Sequence, residues 1–132
     1  MIVVDTSALT AIALGEPQAG ACAAVLETES DVAIAAVTLA EARIVAARRN
    51  RASEIAAMIS LLGFEVVAVA QASARGAAAA YAKLGKGAHP AGLNFGDCFA
   101  YELARERRCP LLFVGEDFAR TDIRPAIAAP AC

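Results

Sequence analysis

The stretch Ile2-Val3-Val4-Asp5-Thr6-Ser7-Ala8-Leu9 decides the fold. Ile2 to Val4 is apolar on both faces, the pattern of a strand buried in a parallel sheet, and Asp5 stops it. Thr6 and Ser7 then offer caps for a helix over Ala8 to Leu14. Downstream, the same unit recurs. Gly15-Glu16-Pro17 is a break, and a second helix is expected to run to about Glu29. Val32 to Val37 reads as strand, and Thr38 caps a helix through about Arg49, with Glu41 placed as its capping-box partner. Ser53, Ile55, Met58, Ile59 and Leu62 mark an amphipathic helix that Gly63 ends. Phe64 to Val69 is a third strand and Gln71 to Leu84 an alanine-rich helix. Gly85 to Asn94 is a glycine-rich loop, too long for a plain connection and therefore a candidate functional loop. Gly96 to Arg108 is helical, Pro110 follows it, and Leu111 to Val114 is a fourth strand. The tail from Asp117 to Cys132 carries breakers and no clear assignment. Strands alternating with helices predict an α/β sandwich around a mainly parallel sheet.

The chain has 132 residues, 58% hydrophobic and 20% charged, a balance that excludes disorder and predicts one domain over 1–132. Charges interrupt every apolar stretch before the ~18 residues a membrane span needs. Asp5 breaks the N-terminal apolar run too early for a signal peptide, so a soluble cytoplasmic protein is expected. The formal net charge of −2 lacks the basic excess of a duplex-binding module, so contact with nucleic acid would rely on local clusters and bound metal. Such clusters are Arg48, Arg49 and Arg51, then Arg105, Arg107 and Arg108, and Lys83, Lys86 and His89 beside the glycine loop. Cys22, Cys98, Cys109 and Cys132 form no C-x-x-C pair and read as core thiols.

The informative residues are acids in improbable places. Asp5 follows the first strand, and Glu116 and Asp117 follow the fourth, so both strands deliver carboxylates to the sheet edge where ligands bind. Glu41 interrupts the apolar stripe of Val37, Ala40, Ile44 and Val45, where burying a charge needs compensation beyond a capping role. Asp97 stands at the start of the helix after the glycine loop, where the helix dipole alone would favour an acid. Asn94 is its N-cap or a site ligand. Like charges about 4 Å apart repel by roughly 4 kcal/mol at an effective dielectric of about 20. Converging carboxylates therefore imply a cation, and oxygen donors without Cys or His select Mg²⁺, with Mn²⁺ possible. The chemistry implied is phosphodiester hydrolysis by metal-activated water, without a covalent intermediate.

Beyond these residues, four segments carry a resemblance. They are Ile2 to Leu9, Leu39-Ala40-Glu41, Gly92-Leu93-Asn94-Phe95-Gly96-Asp97-Cys98-Phe99-Ala100-Tyr101, and Leu111 to Phe118 running on to Thr121-Asp122-Ile123. In that order, over nearly the whole chain, they resemble the PIN-domain ribonucleases, specifically the VapC-type toxins of bacterial toxin–antitoxin pairs. The resemblance implies a PIN-like three-layer sandwich with a four- or five-stranded, mainly parallel sheet flanked by helices. It implies an acidic quartet of Asp5, Glu41, Asp97 and Asp117, with Asp5, Asp97 and Asp117 holding Mg²⁺. Thr6, Ser7, Asn94 and Asp122 would support the site or the substrate. It further implies an RNA substrate, a homodimer, and inhibition by a VapB-like antitoxin whose C-terminal segment covers the active site. The helices after Gly15 and Ser53 would offer the antitoxin a groove, or simply pack the core.

Two other classes remain open at this point. One is a phosphatase with Asp5 as covalent nucleophile, against which stands Ser7 in place of a second acid. The other is a non-enzymatic acidic module that only binds a partner. His89 as a general base has little support, because no Ser-His-Asp or Cys-His system is visible.

Overall fold

A computed structural model of the chain describes residues 1–127. The elements run β1 (Ile2–Val4), α1 (Thr6–Ala13), α2 (Ala19–Thr28), β2 (Val32–Ala35), α3 (Ala36–Arg48), α4 (Ala52–Leu62), β3 (Glu65–Val67), α5 (Gln71–Leu84), α6 (Phe95–Arg107) and β4 (Leu111–Leu112), followed by a 3-10 turn at Phe118–Arg120. The order of the sheet is β3-β2-β1-β4, every pairing parallel. Val3 pairs with Ala33 on one side and Leu111 on the other, so β1 is central. Its neighbours leave it no solvent face, which is why its sequence is uniformly apolar.

Alternation along the strands divides two cores. Val3, Ala33, Ala35 and Leu111 face α5 and α6, with Leu84, Leu93 and Tyr101. Ile2, Val4, Val32, Ile34 and Leu112 face the other way, with Leu9, Leu26 and Ile55 from α1, α2 and α4. The result is the expected three-layer sandwich. Cys22, Cys98 and Cys109 are buried free thiols, as expected, whereas Cys132 lies outside the described residues. Among the described residues no helix is long and apolar enough to cross a membrane.

Several boundaries differ from expectation for physical reasons. Helix α1 begins at Thr6 because Asp5, not Thr6 or Ser7, is its N-cap, its side chain accepting from the Ser7 N–H. Strand β2 stops at Ala35 and α3 starts at once, so Thr38 lies buried inside the helix and caps nothing. The capping-box reading of Glu41 falls with it. Strands β3 and β4 are shorter than their apolar runs. Beyond β4 the sheet gains one further parallel bridge, Leu111 to Pro125, held by Leu111 N–H to Arg124 C=O at 2.9 Å and Ala126 N–H to Leu111 C=O at 2.9 Å. Pro125 is tolerated there because its missing N–H faces away from Leu111, and among the described residues this bridge is the whole extent of a fifth strand.

From β1 the chain moves outward through β2 and β3 and then returns to the opposite flank of β1 as β4. That reversal opens a crevice beyond the carboxyl ends of β1 and β4, the usual ligand position in open parallel sheets.

Candidate active site

Asp5 occupies this crevice. It is only 3% exposed. Its Oδ2 accepts from the Ser7 N–H at 3.0 Å and the Ser7 hydroxyl at 2.6 Å, while its buried Oδ1 accepts no hydrogen bond among the described residues. Burial pushes its pKa up and the Glu41 charge adds to that, against the opposing Ser7 hydrogen bonds. The Ser7 hydroxyl also accepts from the Val114 N–H at 3.0 Å, tying the segment after β4 to the start of α1.

Glu41 reaches the crevice from α3. The Thr6 hydroxyl lies 2.7 Å from Glu41 Oε1 and 3.2 Å from the Thr38 carbonyl, so one donor serves both. From the other side, the Gly96 backbone approaches so closely that a Cβ there would stand 2.7 Å from Glu41 Oε2. Glycine at 96 thus lets α6 press against a carboxylate. One residue on, Asp97 forms a reciprocal capping box: its Oδ2 accepts from the Asn94 N–H at 3.0 Å and its own N–H donates to Asn94 Oδ1 at 2.8 Å. Partial burial raises the Asp97 pKa to about 6, opposed by the Asn94 bond and reinforced by the charges of Asp5, Glu41 and Asp117.

Asp5, Thr6, Ser7, Glu41 and Asp97 line one cleft of about 370 Å³, together with Thr10, Glu16, Val45 and Val114. Asp117 does not line it. It is exposed, at the head of the 3-10 turn, and acts on Asp97 through its charge. Asn94 is exposed and serves as the α6 cap. Asp122 lies elsewhere, accepting from the Tyr101 hydroxyl at 2.5 Å; burial first, then this bond, raises the Tyr101 pKa to about 12. His89 does not line the cleft, and its Nδ1 accepts from the Ala91 N–H at 3.0 Å within the glycine loop.

Sequence reasoning missed Glu16, treating it as part of a break. Thr10 was missed as well, and there a signal existed: it stands four residues from Thr6 on α1, the spacing that puts both on one face, and both line the cleft.

Among the described residues no three Asp, Glu, His or Cys side chains form a ready-made cage for an ion. Mg²⁺ does not need one, because it commonly binds one or two carboxylates and keeps waters and substrate phosphates as its other ligands. The residues fit such an ion on two observations. The buried, unpartnered Asp5 Oδ1 is a costly orphan that a cation would satisfy. The cleft donors are oxygen only, with neither Cys nor His among them.

The PIN domain family model matches residues 2–124. Ribonuclease VapC42 of Mycobacterium tuberculosis is 42% identical over 130 residues, covering 95% of this chain and 98% of that protein. Among solved structures, the sarcin-ricin-loop-cleaving toxin VapC20 of Mycobacterium tuberculosis superposes with a TM-score of 0.75 at 19% identity, covering 95% of this chain and 100% of that one. A toxin–antitoxin complex from Klebsiella pneumoniae gives 0.67 at 20% identity, covering 90% of this chain and 91% of that one. With its parallel sheet, its crevice acids and these matches, the chain belongs to the PIN-domain family of VapC ribonucleases.

Proposed function

We propose that this chain, acting as a single domain over 1–132, is a Mg²⁺-dependent endoribonuclease, the toxin of a toxin–antitoxin pair. The observation that carries the reading is Asp5: a buried carboxylate with one oxygen tied by Ser7 and the other unpartnered, in a cleft shared with Glu41 and Asp97.

Asp5 and Asp97 would hold the ion, and Asp117, which follows β4 and stands outside the cleft lining, would add its charge to the site. When bound, Mg²⁺, or Mn²⁺ in its place, supplies positive charge that offsets the acids and the charge that builds on a phosphodiester during hydrolysis. The chain's own residues do the rest. Ser7 fixes which Asp5 oxygen faces the cleft. Thr6 holds Glu41 by Oε1, leaving Oε2 to accept the proton of an attacking water. Asn94 sets the Asp97 rotamer through the capping box. Asp122 supports the site indirectly by pinning the segment after the 3-10 turn to Tyr101 on α6.

The names of the relatives support RNA as substrate, and the Klebsiella complex supports an antitoxin as partner. A VapB-like antitoxin would block activity by laying its C-terminal segment across the cleft, and a homodimer in the cytoplasm is the expected free state. Incubation of the purified chain with single-stranded RNA, with Mg²⁺ or with chelator, tests the reading. Cleavage is expected only with the metal and is lost in Asp5→Asn. Cleavage in chelator, or by the Asp5→Asn chain, overturns it.

A further inference from the structure

The cleft extends past the acids that would hold an ion. On α1, Thr10 stands one helical turn beyond Thr6; on α3, Val45 stands one turn beyond Glu41; both line the cleft. Glu16 lines it too, from beyond the end of α1. The Glu16 N–H donates to the Ala11 carbonyl at 2.9 Å, which folds the chain back against the last turn of that helix. At about 1.5 Å of rise per residue, α1 sets this end of the cleft roughly 10 Å from Asp5, well beyond the ~4 Å between two ligands of one Mg²⁺. The Glu16 side chain is exposed, and among the described residues no ion pair engages it. Asp5, Glu16, Glu41 and Asp97 all line the cleft, and no Lys, Arg or His does.

We propose that the far end of the cleft, at Thr10, Glu16 and Val45, is a nucleobase subsite that selects guanine beside the phosphodiester to be cut, with the Glu16 carboxylate accepting from the ring N1–H and the exocyclic amino group. The inference rests on the ribonuclease reading and deepens it. Three observations select this occupant. First, an ion at Asp5 and Asp97 would offset one phosphate, but no cationic side chain lines the cleft to offset Glu16. A second phosphate is repelled there, and the neutral part of the nucleotide, its base, is favoured. Second, an ionised carboxylate is acceptor-only and takes two parallel hydrogen bonds. Guanine alone of the four RNA bases offers two adjacent N–H donors on its Watson–Crick edge, the edge through which unstacked bases are read. Third, Val45 gives the ring an apolar wall, and the Thr10 hydroxyl is a further hydrogen-bond partner beside it.

The test uses the intact chain with Mg²⁺ and single-stranded uridine oligomers that carry one guanosine, one inosine or one adenosine. Inosine lacks the exocyclic amino group, and adenosine lacks the paired donors. The parent should cleave beside guanosine with a kcat/KM about tenfold above inosine, the size of one hydrogen bond to a charged group, and further above adenosine. Glu16 is exposed, so Glu16→Gln should fold as the parent does. It is expected to bring the three substrates within about threefold of one another. A carboxylate that only repels RNA gives a different result: Glu16→Gln then speeds cleavage of all three oligomers alike and preserves their ratios, which overturns the subsite. Loss of Mn²⁺ uptake by Glu16→Gln in calorimetry makes Glu16 a metal ligand, and preserved ratios with weakened antitoxin binding make it a protein contact; both overturn the subsite. A parent chain that cleaves no RNA with Mg²⁺ defeats the ribonuclease reading itself, whereas Mg²⁺-dependent cleavage without a guanine preference defeats only the subsite.

Discussion

Asp5 and Glu102 are both buried carboxylates, 3% and 6% exposed, and their surroundings are opposite. Glu102, inside the α5–α6 contact, is clamped by Arg105, whose Nε and guanidinium nitrogen donate at 2.8 and 2.6 Å. Gly76 on α5 leaves it room, for a Cβ there would stand 2.2 Å from its carboxyl carbon. Among the described residues no cation pairs with Asp5. Its support is a serine, its neighbours are other acids, and one oxygen is orphaned. A buried acid with a built-in counter-charge holds two helices together. A buried acid without one is a folding cost, which in the proposed function an ion arriving from solution would offset.

The contrast makes predictions of opposite sign. The largest concerns chemistry: Asp5→Asn or Asp97→Asn should lower RNA cleavage by at least about a hundredfold, measured as kcat/KM on a single-stranded oligomer, whereas Glu102→Gln should leave it within about twofold. Next comes packing. Gly76→Ala forces the Glu102 carboxylate out of a buried, doubly bonded position and should cost about 2 kcal/mol in urea unfolding. A cost near zero would mean the α5–α6 contact gives way freely. Then the signs separate. Without divalent ions, Glu102→Gln should destabilise by about 1 kcal/mol, since the arginine loses its charged partner, while Asp97→Asn should stabilise by roughly 1 kcal/mol once solvent screening of this part-exposed group is allowed for. Asparagine at 97 still accepts the Asn94 N–H, so the cap survives.

The smallest effect is the pH dependence of the metal-free chain. Folded Asp97 keeps its proton up to about pH 6, against an ordinary 3.8. Between those values the folded state binds more protons than the unfolded state, so this group's contribution to stability falls as pH rises through that window and levels off above it. Thermal melts of the parent and Asp97→Asn from pH 4 to 7 check this, and the difference between them should widen as pH rises.

Most of the architecture was legible because it follows from periodicity. The fully apolar Ile2–Val4 run, the glycine stop at Gly63 and the alanine helix over Gln71–Leu84 each appear where local patterning puts them. Boundaries failed where a side chain overrode propensity. Asp5 displaced Thr6 and Ser7 as the α1 cap, and the abrupt β2–α3 junction placed Thr38 inside a helix. At the site, Asp5, Glu41 and Asp97 were visible as acids against their context, and the structure brings them to one cleft. Glu16 was not, because its approach depends on how the chain turns after α1. The distinction between Asp5 and Glu102 was also hidden. Glu102 and Arg105 sit three apart on a helix, a spacing as common on solvated surfaces as inside, and only the α5 contact buries the pair.

Titration calorimetry of Mn²⁺ or Mg²⁺ into the metal-free chain, beside Asp5→Asn, most directly tests whether the unpartnered acid awaits a cation. The account predicts saturable uptake by the parent, with proton release near pH 6 as Asp97 ionises, and none by Asp5→Asn. No uptake by the parent, or equal uptake by both chains, would contradict it.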